Sequence, residues 1–134
     1  MTFNVLSWNV RGSRSERKAH AMRKKVRKFR PVIVTLQETK REEFSDNLSK
    51  FFWGNQEHKW AEAPSVGASG GIVVMWDVQQ LVVEEVLQGA YSVSMLCRFK
   101  NCPIRWIFTS VYGPNAMGDK DDFWNELGAY HQSV

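Results

Sequence analysis

Cysteine and histidine are scarce in this chain, and no apolar run is long. Only two cysteines, Cys97 and Cys102, and three histidines, His20, His58 and His131, occur in 134 residues. The cysteines do not form a Cys-x-x-Cys pair, and no cysteine–histidine cluster has the spacing of a zinc site. The start of the chain, Met1-Thr2-Phe3-Asn4, lacks the charged and then apolar pattern of a secretory signal. Two reduced thiols flanking a turn at Lys100-Asn101 are therefore expected, not a disulfide framework. The longest apolar stretches, such as Gly71 to Trp76, stop well short of the ~20 residues a bilayer needs. A soluble intracellular chain without a transmembrane segment is the expectation, and the length suits one compact domain. Apolar residues at 43% and charged residues at 24% exclude a disordered or collagen-like chain.

The net charge of +4 conceals an uneven distribution. Residues 11–30 hold ten basic side chains against one acid, Glu16, whereas the other residues hold 8 basic and 13 acidic groups. The block is thus +9 and the other residues −5. Such a block is often a solvated helix face, but beside an otherwise acidic body it can also attract a polyanion such as nucleic acid.

The periodicity predicts an α/β chain whose later part is mostly antiparallel. Residues 3–9 read as a strand. Ser13 and Glu16 have capping-box spacing and open a helix to about Phe29, with Ala19, Met22, Val26 and Phe29 as its buried stripe. Pro31 stops that helix, and Val32 to Leu36 suits a buried strand. A second helix is expected over Arg41 to Phe52, with Phe44, Leu48 and Phe51 inward. Strands follow at about 57–63, 71–76, 81–87, 91–99 and 104–111, then an amphipathic stretch from Asp119 to Tyr130. Gly67-Ala68-Ser69-Gly70-Gly71 lacks the ending of a P-loop and reads as a tight turn entering a strand.

Three polar motifs fall where strands should end: Ser7-Trp8-Asn9-Val10-Arg11-Gly12, Leu36-Gln37-Glu38-Thr39-Lys40 and Val111-Tyr112-Gly113-Pro114-Asn115. Rigid sheets fix the positions of such residues, so ligand-binding groups gather there. Glu38 at the end of a buried run is costly to bury unless a cation pairs with it, and a magnesium ion shared with a substrate phosphate is a fitting partner. Asn9 can donate to a phosphate oxygen, and Tyr112 offers a phenol near developing negative charge. Singly, each motif also reads as an ordinary cap or turn.

The order of the motifs is what distinguishes them. Together with Ser69-Gly70-Gly71-Ile72-Val73-Val74-Met75-Trp76 and Phe123-Trp124-Asn125-Glu126-Leu127, the series resembles the endonuclease/exonuclease/phosphatase superfamily. More narrowly, it is similar to the N-terminal endonuclease of plant LINE-type non-LTR retrotransposons, relatives of the apurinic/apyrimidinic endonucleases. The resemblance spans nearly the whole chain. It implies an α/β fold that is the N-terminal portion of a four-layer sandwich, two packed β-sheets flanked by helices. It also implies a phosphodiester-cleaving site that uses Mg2+, with Mn2+ as a substitute. Carried over by motif, Asn9 helps arrange metal and phosphate, Glu38 binds the metal, and Tyr112 contacts the scissile phosphate region. Asn115 is a substrate or loop contact. With Arg11, Arg14, Arg23 and Lys24, it forms the expected DNA-binding set. DNA is the implied partner, in the nucleus, with the reverse transcriptase of a retrotransposon polyprotein as a further one.

Arg11 stands where repair relatives often carry an acid, an arginine the plant retrotransposon relatives share, and Val32 stands where the family usually has Asp. The Gly-Asp-x-Asn and Ser-Asp-His motifs of the family's second half are missing, since Gly118-Asp119-Lys120-Asp121 follows Tyr112 too closely to serve as the first. Residues 1–134 are therefore expected to be a truncated domain with little or no endonuclease activity. An uncovered sheet face leading to self-association is expected as well. Two alternatives remain at this level: a non-catalytic, basic nucleic-acid-binding fragment, or a phosphatase acting on a small phosphate ester.

Overall fold

A computed structural model of the chain describes residues 3–10, 16–39, 44–64 and 70–112. In chain order the elements are β1 (Val5–Asn9), α1 (Glu16–Phe29), β2 (Ile33–Gln37), α2 (Asp46–Trp53), β3 (His58–Ala63), β4 (Ile72–Asp77), β5 (Leu81–Gln88), β6 (Ser92–Phe99) and β7 (Trp106–Val111). Strands β1-β2-β4-β3 make one sheet, and β5-β6-β7 make a second. Only the β1–β2 pairing is parallel among these strands; α1 supplies the crossover that such a pairing requires.

Helices cover one face of the first sheet and the second sheet covers the other. Val34 and Leu36 of β2 and Val73 and Met75 of β4 meet Ala19, Met22 and Val26 of α1 and Phe52 and Trp53 of α2. On the opposite face, Ile33, Ile72, Val74 and Trp76 pack with Leu81, Val93, Met95 and Cys97. Both β2 and β4 are thus buried on two faces, which is why their sequences run apolar without alternation. The inner faces of the two sheets cover each other, contrary to the uncovered face expected from the sequence. Exposed apolar side chains lie on the second sheet's other face. Leu87, Ile107 and Val111 pair with Ser94, Leu96 and Ser92, the β6 residues that alternate with the inward Val93, Met95 and Cys97. Among the described residues, no helix is long and apolar enough to cross a membrane.

The structure corrects the sequence reading at three places. Helix α2 opens at Asp46, not near Arg41. Ser45 is extended at φ −136°, and its hydroxyl accepts from the Leu48 amide at 3.1 Å, which makes it the N-cap. Phe44, expected inside the helix, precedes it and is still buried, edge-on to Trp60. Helix α1 ends at Phe29 as expected, yet Phe29 is 42% exposed. Its carbonyl accepts from the side-chain amide of Asn4, one residue before β1, so the ring lies past the end of the sheet. The last strand begins at Trp106, not Ile104, because Pro103 offers no amide to pair and Ile104 is exposed. The expected cap at Ser13 and helix at 119–130 lie outside the described residues.

The hairpin at Lys100-Asn101 is a turn, with Asn101 at φ +62°, and both cysteines are free. Burial pushes the Cys97 thiol up to about 11, a backbone hydrogen bond involving Phe108 offsetting part of the rise. At pH 8 a thiol reagent should therefore label Cys102 and leave Cys97 unmodified until the protein unfolds, as mass spectrometry would show. Met95 is fully buried between the sheets, so Met95→Ala should cost about 2–4 kcal/mol in urea unfolding. Ile107→Ser, on the exposed face, should cost less than about 0.5 kcal/mol.

Candidate active site

The parallel pairing of β1 and β2 delivers two polar side chains to the same end of the first sheet. Asn9 is in register with Gln37, and Glu38 follows one residue beyond. The Val10 amide donates to the Gln37 carbonyl at 2.9 Å, prolonging the pairing past Asn9. On the other side, the Thr39 amide donates to the Gly71 carbonyl at 3.2 Å. Glu38 sits between these two anchors at φ +56°, in the left-handed region. A non-glycine residue there costs about 1–2 kcal/mol, and the flanking pairings hold it in place. Gly70 and Gly71, at φ +81° and +93°, make the bend that brings the chain into β4 at this point.

The second sheet contributes from across the interface. Beyond β7, the Tyr112 amide donates to the Tyr91 carbonyl at 3.0 Å, continuing the β6–β7 pairing by one residue. The Tyr112 hydroxyl donates to Glu38 Oε1 at 2.5 Å, joining residues 74 apart in sequence. A phenol is therefore one direct partner of this half-buried carboxylate.

Beneath this pair runs a polar bridge that the sequence reading missed. The hydroxyls of Thr35 and Ser110 lie 2.5 Å apart in the interior, joining the two sheets. Gln37 Nε2 donates to Thr35 Oγ1 at 3.2 Å and to Ser7 Oγ at 3.0 Å. The available signal was a lone threonine in the apolar Val32–Leu36 run, together with a serine two residues before Tyr112 and so on the same strand face.

Asn9, Glu38 and Tyr112 are thus gathered at one end of the sandwich. Arg23 and Lys24 are not part of that cluster. The Arg23 guanidinium lies 5.4 Å from the Phe51 ring centroid, and Lys24 is exposed on α1. Arg11, Arg14 and Asn115 lie outside the described residues. His58 is at the opposite end, paired with Asp77, where its ring stacks on Trp53 and contacts Ser49 Oγ at 3.0 Å. Its role there is structural.

Residues 6–132 match the model of the Endonuclease/Exonuclease/phosphatase family. This chain belongs to that family. Solved structures agree on the fold of the endonuclease/exonuclease/phosphatase domain. The 3′ phosphatase NExo from Neisseria superposes with a TM-score of 0.69 at 13% identity, covering 98% of this chain and 52% of that one. The human Nocturnin catalytic domain gives 0.64 at 12% identity, covering 96% and 58%. The AP endonuclease LMAP from Leishmania major gives 0.58 at 19% identity, covering 87% and 42%. This endonuclease/exonuclease/phosphatase chain spans roughly half the length of these structures. No curated protein sequence matches it.

The strain at Glu38 can be measured separately from its chemistry. Glu38→Gly and Glu38→Ala both delete the carboxylate, but only glycine adopts φ +56° without penalty. Glu38→Gly should therefore be the more stable of the two by about 0.5–1 kcal/mol in urea unfolding. Equal stability, or a more stable alanine variant, would contradict a left-handed Glu38.

Proposed function

We propose that Asn9, Glu38 and Tyr112 are the retained part of a divalent-cation-dependent phosphoesterase site that acts on DNA phosphodiester bonds, of the plant LINE retrotransposon type. The observation that carries this reading is the hydrogen bond from Tyr112 to a Glu38 held in a strained conformation. Strain of this kind persists where a side chain must point in one direction. The donor set suits magnesium: a carboxylate and an amide oxygen at adjacent strand ends are hard ligands, and magnesium keeps several waters and shares substrate phosphate. Among the described residues, no group of three or more His, Cys, Asp or Glu forms a complete metal cage. When bound, such an ion would neutralise charge on the phosphate oxygens.

The residues of the chain itself supply orientation. Tyr112 fixes one carboxylate oxygen of Glu38, which limits the directions in which the other can bind. Asn9 presents an amide whose nitrogen can donate to a phosphate oxygen and whose oxygen can face a cation. No Gly-Asp-x-Asn or Ser-Asp-His motif with the family's placement occurs in the sequence, so the groups that would activate water are not supplied by these residues. Catalytic groups that work as a unit lose orders of magnitude in rate when part is removed, ~10⁴-fold or more. This chain alone is accordingly proposed to be nearly inactive. In an intact element it would act in the nucleus beside a reverse transcriptase.

The test pairs binding with turnover. Millimolar Mg2+ or Mn2+ should raise the melting temperature of the wild-type chain and leave that of Glu38→Ala unmoved. An equal shift in both would remove Glu38 from the cation site. Supercoiled plasmid should be nicked at least ~10⁴-fold more slowly than by a family enzyme carrying both later motifs. Robust Glu38-dependent nicking would overturn the proposed inactivity. Glu38-dependent hydrolysis of a small phosphate monoester, with plasmid untouched, would replace DNA as the substrate class.

A further inference from the structure

Helix α1 holds seven basic side chains, Arg17, Lys18, Arg23, Lys24, Lys25, Arg27 and Lys28, against one acid, Glu16. The fold divides these cations into two groups with different tasks. Three lie on the flanks and serve packing. The Lys18 ammonium donates to the Val10 carbonyl, the Lys25 ammonium lies 5.1 Å from the Trp8 ring centroid, and the Arg23 guanidinium covers Phe51. These contacts bind the helix to β1 on one side and to α2 on the other.

The remaining four, Arg17, Lys24, Arg27 and Lys28, are exposed and lie opposite the buried Ala19, Met22 and Val26, with His20 among them. Among the described residues no acidic side chain pairs with any of these four. The ion pairs formed by Arg98 and Arg105 with Glu84 belong to the second sheet. Like charges three and four residues apart repel, so the crest is electrostatically unfavourable to the isolated helix. From Arg17 to Lys28 it extends about 16 Å, at 1.5 Å per residue. Its far end lies away from Glu38, since Phe29 meets Asn4 before the start of β1.

The geometry points to this crest as a second DNA-docking surface, separate from the Glu38 site, that holds the phosphate backbone of a duplex without reading its sequence. The choice of DNA as the polyanion rests on the function proposed above; the surface itself does not require cleavage. Over ~16 Å a duplex offers about nine phosphate charges, ample for four cations to be matched along a groove edge. An anionic membrane is the poorer fit. Membrane-surface helices insert an apolar face, and the apolar stripe of α1 is already buried against the sheet. Phosphate contacts from a row of exposed lysines and arginines fix position on a duplex without carrying sequence information.

Binding of a random-sequence 20-base-pair duplex, measured by fluorescence anisotropy in EDTA, tests the crest without a contribution from any cation at Glu38. The wild-type chain should bind with a slope of log K against log salt of about −3.6. The triple variant Lys24→Glu, Arg27→Glu, Lys28→Glu should lose at least about tenfold in affinity, and its slope should fall towards zero. The neutral triple Lys24→Gln, Arg27→Gln, Lys28→Gln covers the case in which charge reversal unfolds the helix, with circular dichroism reporting the fold. A matched control, Lys50→Glu, Lys59→Glu, Lys100→Glu, makes the same charge change on exposed helix, strand and turn positions. It should weaken binding far less. Equal losses in crest and control variants would mean that net charge alone attracts DNA and would overturn the proposal. So would binding that ignores salt, or preferential binding to phosphatidylserine vesicles. Because no divalent ion is present, failure here leaves the Glu38 reading standing, and loss of the Glu38-dependent metal shift leaves the crest standing.

Discussion

The packing of one sheet on the other is the constraint from which the candidate site follows. Ile33, Ile72, Val74 and Trp76 meet Leu81, Val93, Met95 and Cys97 across an apolar interface, and that contact fixes the height of β7 relative to β2. Only with this height set can Tyr112, at the end of β7, reach Glu38, just beyond the end of β2. A hydrogen bond in a half-exposed position is too weak to align two sheets, contributing about 1 kcal/mol against the several that each large buried side chain supplies. Apolar burial therefore sets the geometry, and the polar contact exploits it.

The polar bridge below the site works by a different rule. Thr35 and Ser110 satisfy each other within an otherwise apolar interface, so each hydroxyl escapes the desolvation cost of being buried alone. Slipping one sheet along the other by one residue would separate them, leaving Thr35 with Gln37 alone and taking this partner from Ser110. The pair thus specifies register more than it adds stability, whereas the surrounding side chains add stability and tolerate several registers. Glu38 depends on that register, because its strained backbone is useful only when Tyr112 arrives opposite it.

How far the sequence revealed this arrangement depends on the range of the interaction. Strand ends carrying Asn9, Glu38 and Tyr112 were legible, because apolar runs followed by polar motifs are local signals. The α1 stripe was legible through Val26 and failed at Phe29, where the sheet beneath the helix ends. The start of α2 was misread because residues 41–52 have helical composition, and the deciding feature was the extended backbone of Ser45. The Thr35–Ser110 contact and the Tyr112–Glu38 bond span 75 and 74 residues, and no periodicity within a single strand announces either.

Charge on α1 illustrates how one composition serves two purposes. A basic block read from sequence is uniform, with every lysine and arginine equivalent. Helical geometry breaks that equivalence, since residues about 100° apart around the axis meet different neighbours. Arg23 and Lys25 fall beside aromatic rings that accept cations, and Arg23 is drawn in far enough that its Nε is buried. Among the described residues no acidic side chain pairs with the crest, where the Lys28 ammonium lies 5.2 Å from the ring centroid of its neighbour Phe29. Packing against β1 and α2 accounts for the flanking cations, whereas the crest cations make no such contact with another element among the described residues. A helix selected for stability alone would carry glutamates at crest positions spaced to pair with Lys24 and Lys28, and this one carries none. The surplus charge is thus a property of the surface and not of the fold, and it belongs with whatever that surface meets.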